Sequence, residues 1–454
     1  MQKPLRNSLL AFVLLVGLLR CATTSLPKLS FPNVPELFAP ATPREAYEKE
    51  LRKTKLDQTE VGQAWRDAGE RALSDSLTVG LPFRETGVFL AEAPLAHSYR
   101  VRVPAGRRLV VRVSTPPSDS AGRLFVDLFQ IRENGKPKHL GFAKKGAALS
   151  CEVAEETTLL LRLQPELSTP GKVRAFTILL ESQPLLSFPV TGRGYSSLIS
   201  FWGAARDGGR RLHEGVDIAA PRGTPVLAAA DGVVTQVTTN RLGGLVVYQQ
   251  DTEHSMTLYY AHLHKQLARP GQRVRRGDTL GLVGNTGNAV TTGPHLHFGV
   301  YPNYQGAADP LPYVDPRGSQ PAPVTANTRR LGGYMRTAPS WMALRKSPKT
   351  GALAGMNLPK NTVLRPLAAT QGWYRVALPD GTLGYVQAAQ LQALGRLRKQ
   401  TFPVVQALLA APEIPTDTLR SLTARQAVHV LGQFGGYEFV ETLDKQNGWV
   451  KTTR

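Results

Sequence analysis

Cysteine is nearly absent from this 454-residue chain, which carries only Cys21 and Cys151. Two cysteines so far apart build no disulfide framework and exclude a Cys-ligated structural zinc, so the fold must rest on buried apolar surface. Cys151 itself reads as a small buried apolar residue. Long hydrophobic runs are scarce too. The run from Leu9 to Leu19 has eleven residues, whereas a membrane-spanning helix needs about 20. Acidic residues are few beside basic ones, 34 against 55, leaving a net charge of +21. That balance implies an anionic partner such as a cell-wall polymer, an anionic lipid or a nucleic acid. The excess is uneven. From Arg329 onward there are 17 Lys and Arg against 6 Asp and Glu, but from Ser196 to Pro316 only 10 against 9. Glycine (42) and proline (34) are plentiful, favouring short strands and turns over long helices. The length predicts two to four domains.

Lys3 and Arg6 precede the apolar run as the n-region and h-region of a secretory signal would, so residues 1–21 read as a leader and the chain as exported. Cys21, directly after the run, resembles the acylation site of a bacterial lipoprotein. Leu18 stands at the expected apolar position, and Arg20 stands where a small residue is usual. This resemblance implies tethering to a membrane through lipid on Cys21 and a place in the cell envelope, periplasmic or extracellular. Export also makes wall polymer or anionic lipid, not nucleic acid, the expected anionic partner.

Residues 22–76 divide into a Pro-rich tether and a helix. "TPRE" is a capping box, with Thr42 as N-cap, Pro43 at N1 and Glu45 at N3. The helix is expected to run to Ser74 with Tyr47, Leu51, Val61, Trp65, Ala68 and Ala72 as its buried stripe. From 77 to 185 the period changes to two, in segments such as "SYRVRV", "RLVVRV" and "TLLLRL". Several short alternating strands between Gly/Pro turns predict a β-sandwich, weakly similar to the pre-peptidase sandwiches of secreted hydrolases. A third unit at 190–316 is closed by the Pro-rich linker "DPRGSQPAPVTANT". Two segments follow, 329–395 and 400–454, each containing a Gly-Trp pattern. "GWYRVALPDGTLGYV" resembles a bacterial SH3 module, and "NGWV" marks a divergent second copy. Trp373 and Trp449 are expected in the cores of these small barrels. The fold class expected is therefore mainly β and multidomain.

Six of the nine histidines fall between 213 and 297. In "GPHLHFGV", His295 and His297 are two apart in a strand and point to one face. In "RLHEGVD", His213 and Asp217 are four apart in a loop that enters a strand. His213, Asp217 and a further imidazole make a three-ligand N/O set suited to Zn²⁺ with a fourth position open. The short apolar strands between these motifs predict an antiparallel sheet able to bring residue 213 beside residue 297.

With these residues in view, 190–316 resembles the lysostaphin-type zinc metallopeptidases of family M23. The shared patterns are "HEGVD", "PRGTPVLAAADGVV", "YAHL", "VRRGDTLGLVGNTG" and "TGPHLHF". The resemblance implies His213, Asp217 and His297 as zinc ligands, and His262 and His295 as the pair that handles water and developing charge. It implies peptidoglycan as partner and endopeptidase as activity. Two departures are a "GNTGNAVTTGPH" loop one residue longer and Gly299 where an acidic residue often follows. His264 would share the strand face of His262. His254 is expected in solvent, Glu214 as a loop residue, and His97, His139 and His429 as structural or surface groups. Two other readings compete. One is a non-catalytic relative that activates cell-wall amidases, which would have lost ligands. The other is a biotinyl/lipoyl-type carrier, which would need a lysine at a tight turn that is not found between Asp217 and Tyr260.

Overall fold

The structure, a computed structural model, describes residues 41–452 apart from 75–76, 91–95, 117–121, 145, 168–173, 303–305, 319 and 413–416. The leader, Cys21 and nearly all of the tether lie outside the described residues. No helix among those described is long and apolar enough to cross a membrane.

The capping box forms as expected: Thr42 Oγ1 accepts from the Glu45 amide at 3.2 Å, and Glu45 Oε2 accepts from the Thr42 amide at 2.7 Å. The single long helix does not form. Pro43–Lys53 (α1) ends where Lys55 adopts φ +59°, and Glu60–Ser74 (α2) starts anew. Thr59 restarts it, its Oγ1 accepting from the Gly62 amide at 3.2 Å. A Cβ on Gly62 would lie 1.9 Å from the Leu56 carbonyl oxygen, so only glycine lets the returning helix pass that close. The break rotates Val61 into solvent (55% exposed) while Tyr47, Leu51 and Trp65 stay buried against Phe125.

The sandwich follows, from Phe83–Phe89 (β1), His97–Val103 (β2), Arg107–Ser114 (β3), Leu124–Ile131 (β4), Pro137–Phe142 (β5), Leu149–Val153 (β6), Thr157–Pro165 (β7) and Arg174–Pro184 (β8). One sheet runs β2–β7–β4–β5, and the facing one carries β1–β8–β3–β6. Tyr99, Leu109, Leu128, Leu161 and Ile178 fill the space between them. Cys151, on β6, is buried there as expected, and burial raises its thiol pKa to about 11.

The second sheet continues into the first SH3-like unit. Its strand Val363–Ala369 pairs antiparallel with β1 (Thr86 opposite Ala369, Gly87 opposite Ala368), so the unit opens onto the sandwich instead of standing apart. Trp373 is buried as expected, but in the core of the sandwich. Arg375, fully buried, donates to the Ser98 carbonyl oxygen at 3.0 Å, and Tyr99 and Tyr385 both donate to the Glu85 carboxylate. Residues 398–451 form a further six-stranded sheet with Trp449 in its core.

The unit from 190 onward is built on a nine-stranded antiparallel sheet. The unit as a whole has the strands Leu198–Ser200 (β9), Ala205–Arg206 (β10), Arg211–Leu212 (β11), Val216–Ala219 (β12), Pro225–Leu227 (β13), Gly232–Asn240 (β14), Gly244–Asp251 (β15), Met256–Gln266 (β16), Arg273–Val274 (β17), Thr279–Val283 (β18) and His295–Pro302 (β19), nine of them in that sheet. The order is β17–β14–β15–β16–β19–β12–β9, with β18 and β13 joined through β16, while β10 and β11 form a separate hairpin. One face packs Val216, Ile218, Tyr260, Leu296 and Phe298 into the core. The opposite face is free to carry the site.

Candidate active site

The register of the central strands assembles the site. On β19, Leu296 and Phe298 turn into the core, so His295 and His297 must turn the other way. On β12, Asp217 stands directly opposite His297, and Ala219 opposite His295. Paired residues on one face of an antiparallel ladder have Cβ atoms about 5 Å apart, which is the reach needed. His213 arrives from the turn before β12. A Cβ on Gly215 would lie 2.6 Å from His297 Cε1 and 2.7 Å from both His297 Nε2 and the Phe298 carbonyl oxygen. The glycine of "HEGVD" therefore makes room for the ring across the ladder.

Three atoms converge: His213 Nε2 and Asp217 Oδ1 are 3.1 Å apart, His213 Nε2 and His297 Nδ1 3.0 Å, and His297 Nδ1 and Asp217 Oδ1 3.1 Å. The Phe201 carbonyl oxygen, 2.9 Å from His213 Nδ1, can only accept, so that nitrogen carries the hydrogen and Nε2 presents a lone pair. A single hydrogen on His297 Nδ1 would have to serve both other atoms at once. A cation serves all three, and two nitrogens with one carboxylate oxygen are the donor set zinc takes. Burial raises the Asp217 carboxyl pKa, but contacts from His213 and His297 outweigh it and hold it well below the usual carboxylate range. Burial also lowers the pKa of His297, favouring the neutral imidazole that binds metal.

Beside this trio stand His262 and His295, with ring centroids 5.0 Å apart, and His262 is 5.9 Å from His297. His262 Nδ1 faces the Thr286 carbonyl oxygen at 2.8 Å and His295 Nδ1 faces that of Gly293 at 2.9 Å. Both carry their hydrogen there and turn Nε2 toward the cleft as an acceptor. Burial, reinforced by the neighbouring imidazole of His295, lowers the His262 pKa to about 4, so it is neutral at pH 7.

His262 does not reach the cleft by simple alternation. Tyr259 and Ala261 face the cleft and Tyr260 the core, so strict period two would send His262 inward. A register shift between β15 and β16 and a φ of +61° at His262 turn it back. Left-handed backbone at a non-glycine residue costs about 1–3 kcal/mol and recurs at functional sites. The same bulge corrects the expectation for His264, which is exposed away from the site with Nδ1 3.3 Å from Arg222.

His254 also departs from expectation. Its side chain is 7% exposed and lies between Asp251 (Nδ1 to Oδ2, 2.6 Å) and Glu152 of the sandwich (Nε2 to Oε2, 3.4 Å). It helps to join the two units and has no part in the cleft. Glu214 is exposed on the rim, as a loop residue should be. His97 is a core group whose Nε2 donates to the Val88 carbonyl oxygen at 3.1 Å, and burial lowers its pKa to about 3.

Residues 211–310 match the model of peptidase family M23, and residues 338–392 match that of a bacterial SH3 domain. The chain carries an M23 peptidase domain. Within it, the peptidoglycan DD-endopeptidase ShyC of Vibrio cholerae is 43% identical over 88 residues, which is 19% of this chain and 20% of that protein. An L-Ala–D-Glu endopeptidase of Bacillus subtilis is 39% identical over 126 residues, 25% of this chain and 38% of its own length. The catalytic domain of the antimicrobial peptidase lysostaphin from Staphylococcus simulans is 29% identical, matched over 26% of this chain and 90% of that one at a TM-score of 0.24. The chain thus spans well under half the length of these two curated relatives.

Sequence reasoning missed several residues of the M23 domain. Arg206, on the β10–β11 hairpin, donates to Asp217 Oδ2 at 2.8 Å and to Ser200 Oγ at 2.7 Å. It occupies the second carboxylate oxygen and leaves Oδ1 for the trio. Tyr259 sets its ring edge-on to His297, centroids 5.8 Å apart, and stacks with Tyr248 at 4.8 Å. Position i−2 from Ala261 on β16 was a signal for Tyr259. Nothing local marks Arg206. The cleft, of about 840 Å³, is walled by these tyrosines, Tyr301, Arg211 and Arg241.

Proposed function

We propose that this protein is an exported zinc-dependent endopeptidase that hydrolyses peptide cross-links of bacterial peptidoglycan in the cell envelope, tethered through lipid on Cys21. The observation that carries the reading is the convergence of His213 Nε2, Asp217 Oδ1 and His297 Nδ1 within 3.1 Å of one another, with the imidazoles of His262 and His295 lining the same open cleft. A zinc ion held by that trio would supply Lewis-acid polarisation of the scissile carbonyl. The tyrosine-lined cleft lays an extended peptide across the trio. His262 or His295 takes a proton from the attacking water at Nε2, and the imidazolium so formed returns it to the leaving amine. His262 begins neutral, because burial disfavours its charge.

The amidase-activator reading requires lost ligands, and all five positions are filled and assembled. The experiment is digestion of purified cross-linked sacculi by the chain lacking its leader, with zinc, with chelator, and as His297→Ala. Chelator-sensitive release of uncross-linked peptides, absent in the variant, is expected, and mass spectrometry of the products names the bond. No release from any wall type by zinc-loaded protein would overturn the reading.

A further inference from the structure

The turn between β15 and β16 brings its side chains against the edge strand β6 of the sandwich. On β6, Cys151 and Val153 turn into the core, so Glu152 between them turns out. Arg108 stands opposite it on β3, and its Nε donates to Glu152 Oε1 at 2.9 Å, leaving Oε2 to the turn. From the other side, fully buried Asp251 accepts at Oδ1 from the amides of Glu253 and His254 (2.9 and 3.2 Å) and at Oδ2 from His254 Nδ1 (2.6 Å). A carboxylate only accepts, so Nδ1 carries the ring hydrogen. The imidazole is thereby fixed with Nε2 beside Glu152 Oε2 at 3.4 Å and Glu253 Oε1 at 3.8 Å. The His254 side chain is 7% exposed, and its Nε2 is buried with no hydrogen-bond partner among the described residues: neither flanking carboxylate is aligned on it. A cation needs no such alignment. Ligand atoms 2.0–2.2 Å from a tetrahedral ion stand about 3.4 Å from one another, and all three atoms lie within 4.8 Å of each other.

We propose that His254 Nε2, Glu152 Oε2 and Glu253 Oε1 form a second metal site, for zinc, that clamps the M23 domain to the sandwich. One imidazole nitrogen and two carboxylate oxygens suit zinc, and the imidazole disfavours magnesium or calcium. The Asp251 carboxylate behind His254 is the partner to which a metal-bound histidine commonly donates its other N–H. Arg108 treats Glu152 as Arg206 treats Asp217, taking one oxygen and leaving the other. Burial of Nε2 is no barrier to an ion, because the two flanking carboxylates are themselves ligands and Glu253, 39% exposed, is free to swing out and admit it. The site is remote from the cleft: His262 is six residues beyond Met256 along β16, about 20 Å at strand rise. Its ligands come from two units, so the ion's role is structural. In metal-free protein Nε2 takes a proton instead, and the same groups are held as ion pairs.

The test uses the full chain without its leader, carrying His213→Ala and His297→Ala so that the cleft trio is disabled, and Zn²⁺ as the probe. After equilibration with micromolar zinc, elemental analysis should find one zinc per chain. X-ray absorption should show a single imidazole among oxygen ligands, where the cleft trio would show two. Adding His254→Gln or Glu152→Gln should weaken that zinc roughly 100-fold or more, beyond the loss of a supporting contact. Glu253→Gln, on an exposed side chain, should weaken it about tenfold or more and serves if the buried substitutions misfold. Zinc should also raise the melting temperature of the cleft-disabled chain and leave that of the chain with added His254→Gln unmoved. No zinc on the cleft-disabled chain would overturn the site, as would zinc whose affinity none of the three substitutions changes. Equal affinity for Mg²⁺ would overturn the choice of metal, since an imidazole ligand favours zinc. The outcome is independent of the peptidase reading, because this zinc is counted in a chain whose cleft trio is gone.

Discussion

Gly215→Ala should disable the metal trio without touching any ligand. The new Cβ would stand 2.6 Å from His297 Cε1 and 2.7 Å from Nε2, where carbon contacts settle at about 3.5–4.0 Å. One of the two sides must therefore retreat by roughly 1 Å. The strand cannot easily do so, because Val216 pairs with Phe298 in the β12–β19 ladder and the Phe298 carbonyl oxygen is itself 2.7 Å from the added carbon. The imidazole gives way instead. Metal–ligand distances tolerate only about 0.2 Å, so a shift several times larger removes His297 as a useful ligand. Zinc affinity should fall at least 100-fold, exceeding the 10–100-fold typical of losing a mere supporting contact. Overpacking of this size costs about 1–3 kcal/mol, leaving the chain folded. Zinc affinity is read by competition with a chromophoric chelator, folding by far-UV circular dichroism, and activity by release of peptides from sacculi. A folded Gly215→Ala protein that keeps zinc affinity within about threefold of the parent, and still cuts, would refute the steric reasoning.

His262→Ala should retain stoichiometric zinc yet lose roughly 10²–10⁴-fold in hydrolysis, the usual worth of a general acid or base; equal loss of zinc would show that it is a ligand instead. Arg206→Gln should weaken zinc about 10–100-fold by freeing the second oxygen of Asp217, measured by the same chelator competition, with Arg206→Lys intermediate. At the joint between the units, burial opposes the charge on His254, but Asp251 and Glu152 outweigh it and raise its pKa to about 9, with Glu253 and Arg108 also in the cluster. Because the folded value lies above the unfolded one, this stabilisation is complete below about pH 6.5 and is lost as pH rises through about 9. Thermal melts should therefore fall between pH 7 and 9.5, by an amount on the order of 2–3 kcal/mol, and His254→Gln should flatten that dependence.

Much of this protein was legible along the chain. Period two in residues 98–180 predicted strands because each had to turn alternate side chains into a core, and Tyr99, Leu161 and Ile178 are buried accordingly. The His295–Leu296–His297–Phe298 alternation likewise put two imidazoles on one face, since leucine and phenylalanine claimed the other. His213, Asp217, His262, His295 and His297, which the fold brings to one cleft, were singled out by local pattern and motif in this way. Tertiary structure decided the rest, wherever a long-range partner overrode the local rule. A bulge against β15 turned His262 outward and left His264 in solvent. Carboxylates 3 and 102 residues away in sequence drew His254 out of solvent into a joint. Arg206 found the free oxygen of Asp217 through a hairpin that no motif announced. Strand β1 accepted a partner nearly 300 residues later, because an open sheet edge pairs with whatever chain the fold brings beside it. Alternation is set by bond geometry within a strand; register, bulges and charge partners are set by what lies across from it.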